Sequence, residues 1–191
     1  VSENIGLNFL DKSADQYLEV IKSYLSEKGL EPDKPLAFLC NPPYRNDDDQ
    51  TAEGIEYKVH PSILALTGND TSSERYCCFL AQMKLICEKA KDSGLPENSV
   101  LLLFTETSWL NRPTFLPIRR EIASVFEDVS GLMVNSREFF KVSGKFPVAF
   151  TVWRYKGKDA GLNPERPIPL LDLTWIKKNE LSQLSWDKQI E

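Results

Sequence analysis

Apolar residues in this chain fall into two patterns that alternate along it: charge-free runs and stripes at helical spacing. Leu36-Ala37-Phe38-Leu39-Cys40 and Ser99-Val100-Leu101-Leu102-Leu103-Phe104-Thr105 are runs without a charge. Such runs read as strands of a parallel sheet buried on both faces. Tyr17, Leu18, Ile21, Tyr24 and Leu25 recur at helical spacing. They predict a helix opened by Ser13, with Gln16 three residues on in capping-box position, and stopped by Gly29. A broader stripe, Tyr76, Phe79, Leu80, Met83, Ile86, Cys87 and Ala90, predicts a second helix capped by Ser72 or Ser73 and ended by Gly94-Leu95-Pro96. A third fits Thr114 to Phe126, with Pro117 in its first turn and Ile118, Ile122, Val125 and Phe126 facing inward.

Asn4 to Leu10 reads as a short strand ahead of the first helix, and Leu132-Met133-Val134 and Pro147 to Arg154 as two late ones. Between the late strands, Ser136 to Phe146 holds Phe139-Phe140 and a Ser143-Gly144 turn. Alternation followed by a strand pair predicts an α/β fold: a mostly parallel, doubly wound sheet with an antiparallel terminal hairpin. Arg45 to about Thr71, with Asp47-Asp48-Asp49 and the weak patch Ile63-Leu64-Ala65-Leu66, reads as a long polar loop. Beyond Gly157 the pattern fades, and Pro164, Pro167 and Pro169 suggest a linker. The expected division is a domain over residues 1–158, then a linker and the start of a following segment over 159–191.

Composition narrows this picture mainly by exclusion. The 191 residues are 41% apolar and carry a net charge of −5, so nothing pushes the whole molecule toward nucleic acid. No window approaches the ~20 apolar residues of a membrane span, and no signal peptide is visible. The first residue is Val1, which suggests a processed or excised piece of a longer protein. Cys40, Cys77, Cys78 and Cys87 form no CxxC pair and are expected to be reduced core residues of a cytoplasmic protein. A zinc site is not expected, and three adjacent aspartates without EF-hand spacing read as a solvated face, so no metal is assigned. The chain has neither a GxSxG elbow, nor a GxxxxGK[ST] phosphate loop, nor a GxGxxG fingerprint. Its one histidine, His60, stands before Pro61 and reads as a surface residue.

One stretch carries chemistry. The run Leu36–Cys40 stops at Asn41-Pro42-Pro43-Tyr44, where two prolines hold the chain extended at the strand's C-terminal end. In open α/β sheets ligands bind at that end. The Asn41 side-chain oxygen and a neighbouring backbone carbonyl can accept hydrogen bonds from an exocyclic amino group. They would stabilise the positive charge that develops on nitrogen as it attacks a methyl donor. Tyr44 offers an aromatic face to the same planar group.

Leu36 to Tyr44 resembles the catalytic motif of amino-group methyltransferases, above all the S-adenosylmethionine-dependent adenine-N6 DNA methyltransferases of restriction-modification systems. Protein-glutamine and some guanine-N2 RNA methyltransferases share the turn, and a non-catalytic remnant or interaction module is the reading from another class. More of the chain is similar to the DNA enzymes: Glu74 to Ala90, Val100 to Leu110 followed by Ile118-Arg119-Arg120, and Phe139-Phe140 with Gly144-Lys145-Phe146-Pro147-Val148. The resemblance implies a partial Rossmann-like methyltransferase fold and assigns Asn41 and the Pro42 carbonyl, within the Asn41-Pro42-Pro43-Tyr44 turn, to the target amino group. It assigns Tyr44 to stacking on the extruded base and Phe140, or else Phe139, to the base's other side. Only one of that pair can face the pocket if the two are strand-like. Trp109, in the loop after the second long run, is a further candidate for the substrate pocket.

Asn8-Phe9 falls where the family meets the adenine ring of S-adenosylmethionine. The family's glycine-rich cofactor loop and its acidic ribose-binding residue find no counterpart here, so the resemblance implies the catalytic half of the enzyme. It also implies DNA as partner, together with a specificity subunit or target-recognition domain outside the chain. Arg112, Arg119, Arg120, Lys141, Lys145, Arg154, Lys156 and Lys158 are the candidate phosphate contacts.

Overall fold

The computed structural model describes residues 8–42, 58–68, 71–72, 74–140 and 144–181. Its order is α1 (Ala14–Glu27), β1 (Ala37–Cys40), α2 (Pro61–Thr67), α3 (Arg75–Ala90), β2 (Val100–Glu106) and α4 (Ser108–Asn111). There follow α5 (Leu116–Val125), β3 (Phe126–Asn135), α6 (Ser136–Phe139), β4 (Pro147–Tyr155), β5 (Leu171–Asp172) and α7 (Lys178–Leu181). The α/β class, the helix-strand alternation and the terminal hairpin are as the pattern predicts.

The sheet runs β1-β2-β4-β3-β5. β1 pairs parallel with β2 and β3 with β5, whereas β4 is antiparallel to both its neighbours. Four strands therefore point one way and β4 alone runs back between them. The reason is the crossover: α5 carries the chain from β2 to a β3 that is one strand-width too far to pair. The hairpin return fills that gap.

One face of the sheet is the core. Leu101 and Leu103 of β2 and Trp153 of β4 meet Tyr76, Leu80 and Met83 of α3 and Ile118 and Ile122 of α5, all buried. α3 packs against α1, α2 and α5, so it is buried nearly all round and even Lys84 lies inside. Its ammonium is satisfied by Glu88, 2.6 Å away, and by Glu121 at 3.3 Å, the pairing that a buried charge requires. On the sheet's other face Leu102, Phe104, Leu132, Phe150 and Val152 are only half-buried.

Several local expectations change. Ser13 caps α1 in the reciprocal arrangement with Gln16, but Asn8 is irregular and Phe9 and Leu10 form bends instead of a strand, and Asn4–Leu7 lie outside the described residues. Within the stretch expected to be a polar loop, Ile63–Leu66 form part of α2, whose N-cap is His60, its Nδ1 accepting from the Ser62 N–H at 3.2 Å. Asp47-Asp48-Asp49 fall outside the described residues. α3 starts later than expected, with Glu74 as N-cap and no side-chain cap bond; the Ser72 carbonyl accepts from the Cys78 thiol instead. β1 is not buried on both faces. It is the outermost strand of the described sheet, and Leu39 is 79% exposed.

Residues 159–181 add β5 to the same sheet. Arg166 fastens this strap: its Nε donates to Asp128 at 2.6 Å and its terminal nitrogens to the Ala123 and Phe126 carbonyls, each at 2.7 Å. Gly131 leaves room for the Leu170 side chain, which a Cβ there would overlap. Replacing Arg166 by Met would strand the Asp128 carboxylate and two carbonyls. We expect a loss of about 2–3 kcal/mol in urea unfolding, with an unchanged midpoint excluding the strap as a stabilising element.

Candidate functional site

Asn41 and Pro42 directly follow β1. The last registered pair of the parallel β1–β2 ladder is Cys40 with Leu103, so Asn41 stands level with Phe104 one step further on. Alternation puts Ala37 and Leu39 on the half-open face of the sheet and Phe38 and Cys40 on the core face. Asn41 is exposed and Pro42 is buried. Pro43 and Tyr44 lie outside the described residues.

The two phenylalanines separate, although not as alternating strand residues. Phe139 ends the short helix α6 and packs beside Val134, Leu173 and Ile176. Phe140, just after that helix, turns its ring toward β2 and meets Phe104 edge-on at 6.2 Å between centroids. Phe104 in turn contacts Phe150, its registered partner on β4, at 5.0 Å. Phe104 and Phe140 thus meet at the end of the sheet where Asn41 follows β1. Phe104 was hidden in the sequence, because a run of five apolar residues does not say which of them leave the core.

Trp109 is corrected outright. It is 0% exposed, its indole N–H donates to Thr105 Oγ1 at 2.9 Å, and its ring lies against Trp153. A fully buried ring with its one polar atom satisfied is core, and it offers nothing to a substrate.

Phe9 is drawn to the other side of β1. Its ring stacks on Phe79 at 5.2 Å and meets Tyr17 edge-on at 5.0 Å. Together with Phe38, Cys40 and Met83 these rings line an apolar pocket of about 310 Å³ along β1. Asn8 turns its side chain back to accept from the Leu10 N–H at 3.1 Å and is itself exposed. What anchors this segment is Gln82, fully buried on α3, whose amide donates to the Phe9 and Lys12 carbonyls at 3.1 and 2.9 Å. Its signal in the sequence was one amide on an otherwise apolar helix.

At the end of β2 a polar chain forms. Ser108 Oγ donates to Glu106 at 3.1 Å and lies 3.5 Å from the Tyr76 hydroxyl. Burial, with the Glu106 charge added, raises the Glu74 carboxyl above its ordinary value, and Arg112 partly offsets this. Four of the eight candidate phosphate contacts are engaged within the molecule. Arg120 pairs with Glu165, Lys156 with Glu127 and Lys158 with Glu88; Arg119 donates to the Leu110 carbonyl at 2.6 Å. Lys141 lies outside the described residues. Among the described residues no group of His, Cys, Asp and Glu is arranged to hold a metal ion. No described helix is long and apolar enough to cross a membrane.

No protein-family model matches the chain, and no curated protein does. Among solved structures, 12 chains match. One is a DrdV–DNA complex determined by cryo-electron microscopy, 15% identical with a TM-score of 0.48, over 81% of this chain and 16% of that one. Another is the ATP-dependent Type ISP restriction-modification enzyme LlaBIII bound to DNA, 17% identical with a TM-score of 0.49, over 91% of this chain and 12% of that one. The chain thus spans 16% and 12% of the lengths of these two structures. Identities and overlaps of this size assign neither protein's activity to this chain.

Burial pushes the Cys40 thiol up to about 11, and only the thiolate is nucleophilic. Alkylation of Cys40 by iodoacetamide should therefore still climb close to tenfold per pH unit at about pH 10. A plateau near about pH 9, read by peptide mass spectrometry, would mean the β1 pocket is open to water at that thiol.

Proposed function

We propose that this chain carries the base-gripping half of an S-adenosylmethionine-dependent methyltransferase acting on the N6 amino group of adenine in DNA, within a restriction-modification system. One register carries it: Asn41 directly follows Cys40, the last residue of a parallel strand and the partner of Leu103, and the next residue of β2, Phe104, has a ring that meets Phe140. An amide acceptor and an aromatic wall at the ligand end of a parallel strand suit a flat amino-bearing ring. The adenine has to leave the duplex, since its amino group is out of reach within the stack.

In this reading the Asn41 oxygen and the Pro42 carbonyl accept the two hydrogens of the amino group, which turns its lone pair toward the donor and stabilises the charge that grows on nitrogen. Tyr44 and Phe140 hold the ring from opposite sides. The pocket beside Phe9, Phe38 and Phe79 has the aromatic walls and, at about 310 Å³, the low-end ligand-pocket size (about 300–1,000 Å³) that fit the adenine ring of S-adenosylmethionine. When bound, that cofactor supplies a methyl group activated on a sulfonium. Phe9 suits this role better than Asn8, whose side chain is spent on the Leu10 N–H. The sequence holds no glycine-rich loop, so the remainder of the cofactor's seat, like target recognition, would come from other polypeptide.

The test is methyl transfer from labelled S-adenosylmethionine to adenine-containing DNA by the full-length protein. Asn41→Ala should lower kcat/KM by about 10²-fold or more, and Tyr44→Ala by about 10–100-fold through lost stacking, both with unchanged thermal unfolding. Activity equal to wild type in both variants would overturn the assignment. Transfer to RNA guanine or to a protein glutamine, with none to adenine, would move the same chemistry to another substrate.

A further inference from the structure

Two cavities of about 540 and 460 Å³ share Thr107, Asn111 and Met133 and so make one groove. It begins where β2 ends, since Thr107 directly follows Glu106. Phe104 and Glu106 alternate toward the half-open face and Thr105 and Thr107 toward the other. A strand with its target base on the Phe104 side therefore reaches the groove by crossing the end of β2.

The polar groups lining the groove fall into two sets. Arg119, Arg166, Asn135 and Asp172 are committed: to the Leu110 carbonyl, to Asp128, to the Arg137 N–H and to Thr174. Glu165 is paired with Arg120. Thr107, Asn111 and Lys145 make no side-chain hydrogen bond or ion pair with another described residue, although all three line the groove. One cation with a hydroxyl and an amide beside it is the complement of a phosphodiester.

Beside these groups stands Trp175, 76% exposed, on a turn whose flanking residues Leu173 and Ile176 are buried. Its indole N–H donates to the Asp172 carbonyl at 3.1 Å, and Asp172 and Thr174 line the groove with Lys145. Leu173 and Ile176 anchor the turn in the core, and the Trp175 ring stands exposed with its polar atom already satisfied. Such a ring is a stacking platform for a nucleobase. An apolar protein surface docked there would bury Lys145 with no ion-pair partner, since the Asp172 carboxylate in the same lining is held by Thr174, which is costly; a nucleotide supplies both the flat ring and the anion.

We propose that this groove seats the nucleotide next to the extruded adenine, its phosphate at Lys145, Asn111 and Thr107 and its base against Trp175. The proposal rests on the reading of Asn41 and Phe140 given above and extends it by giving the strand a path.

The test measures binding of a short single-stranded oligonucleotide containing adenine to the full-length protein, by fluorescence anisotropy over a range of salt. Trp175→Ala should weaken binding about tenfold, while Trp175→Phe, which keeps a ring, should stay close to wild type. Lys145→Gln should lower the slope of log Kd against log salt by about 0.7, the value for one phosphate contact on a single strand. Both positions are on the surface, and unchanged thermal unfolding verifies the fold. Affinities within twofold of wild type for Trp175→Ala and Lys145→Gln, with the slope unchanged, would overturn the proposal. If methyl transfer depends on Asn41 while affinity ignores Trp175 and Lys145, the groove proposal falls alone. If adenine receives no methyl group yet affinity depends on both residues, the groove stands as a nucleotide site and the reading of Asn41 falls.

Discussion

Everything at the candidate site depends on the antiparallel ladder between β2 and β4, which pairs Val100 with Arg154 through to Glu106 with Val148. It does two things at once. On the core face it sets Trp153 opposite Leu101, closing the packing beneath α3 and α5. On the other face it sets Phe150 opposite Phe104, giving Phe104 the neighbour that orients it toward Phe140. β2 is also the strand against which β1 is registered, so the place of Asn41 follows from the same ladder. A slip of one residue would turn every side chain of β2 to the wrong face.

The two faces are built for different tasks. On the core face several polar groups are matched: Trp109 donates to Thr105 on β2, Trp153 to Thr151 on its own strand, and Lys84 has two carboxylates. The other face keeps its aromatic residues half-buried, with Asn41 at its end. A closely packed core beneath a partly open aromatic surface is what a binding site needs, because positional precision has to come from groups that do not themselves bind.

The β-hairpin and the strap after it carry the second half of the site. β3 is longer than its apolar run suggests, beginning at Phe126 directly after α5, because pairing with β4 recruits polar residues such as Glu127 and Asp128 that carry no hydrophobic signal. Arg166 then ties residues 163–173 back to this region through carbonyls and Asp128. That contact spans 38 residues or more of sequence. It has no local pattern, and it shapes the groove whose lining reaches Thr174, the neighbour of Trp175.

What the sequence by itself determined is the set of features that depend on near neighbours. Ser13 with Gln16, the stripes of α1, α3 and α5, the charge-free runs of β1 and β2, and the stiff turn at Asn41 all follow from spacing, capping and proline geometry. Which face each residue of a continuous apolar run would take was not readable, because period-2 alternation leaves no mark when both faces are apolar. Trp109 belongs to the core although its place after β2 suggests the substrate, and nothing within the run marks Phe104. Tertiary structure alone decided those two residues, the exposure of Leu39 at the sheet's margin and the separation of Phe139 from Phe140. In each case the deciding contact comes from an element distant in the chain: α3 and β4 over β2, and the residues around Leu173 beside α6. Side-chain direction in such a fold is fixed by what packs against it, and no local pattern records that.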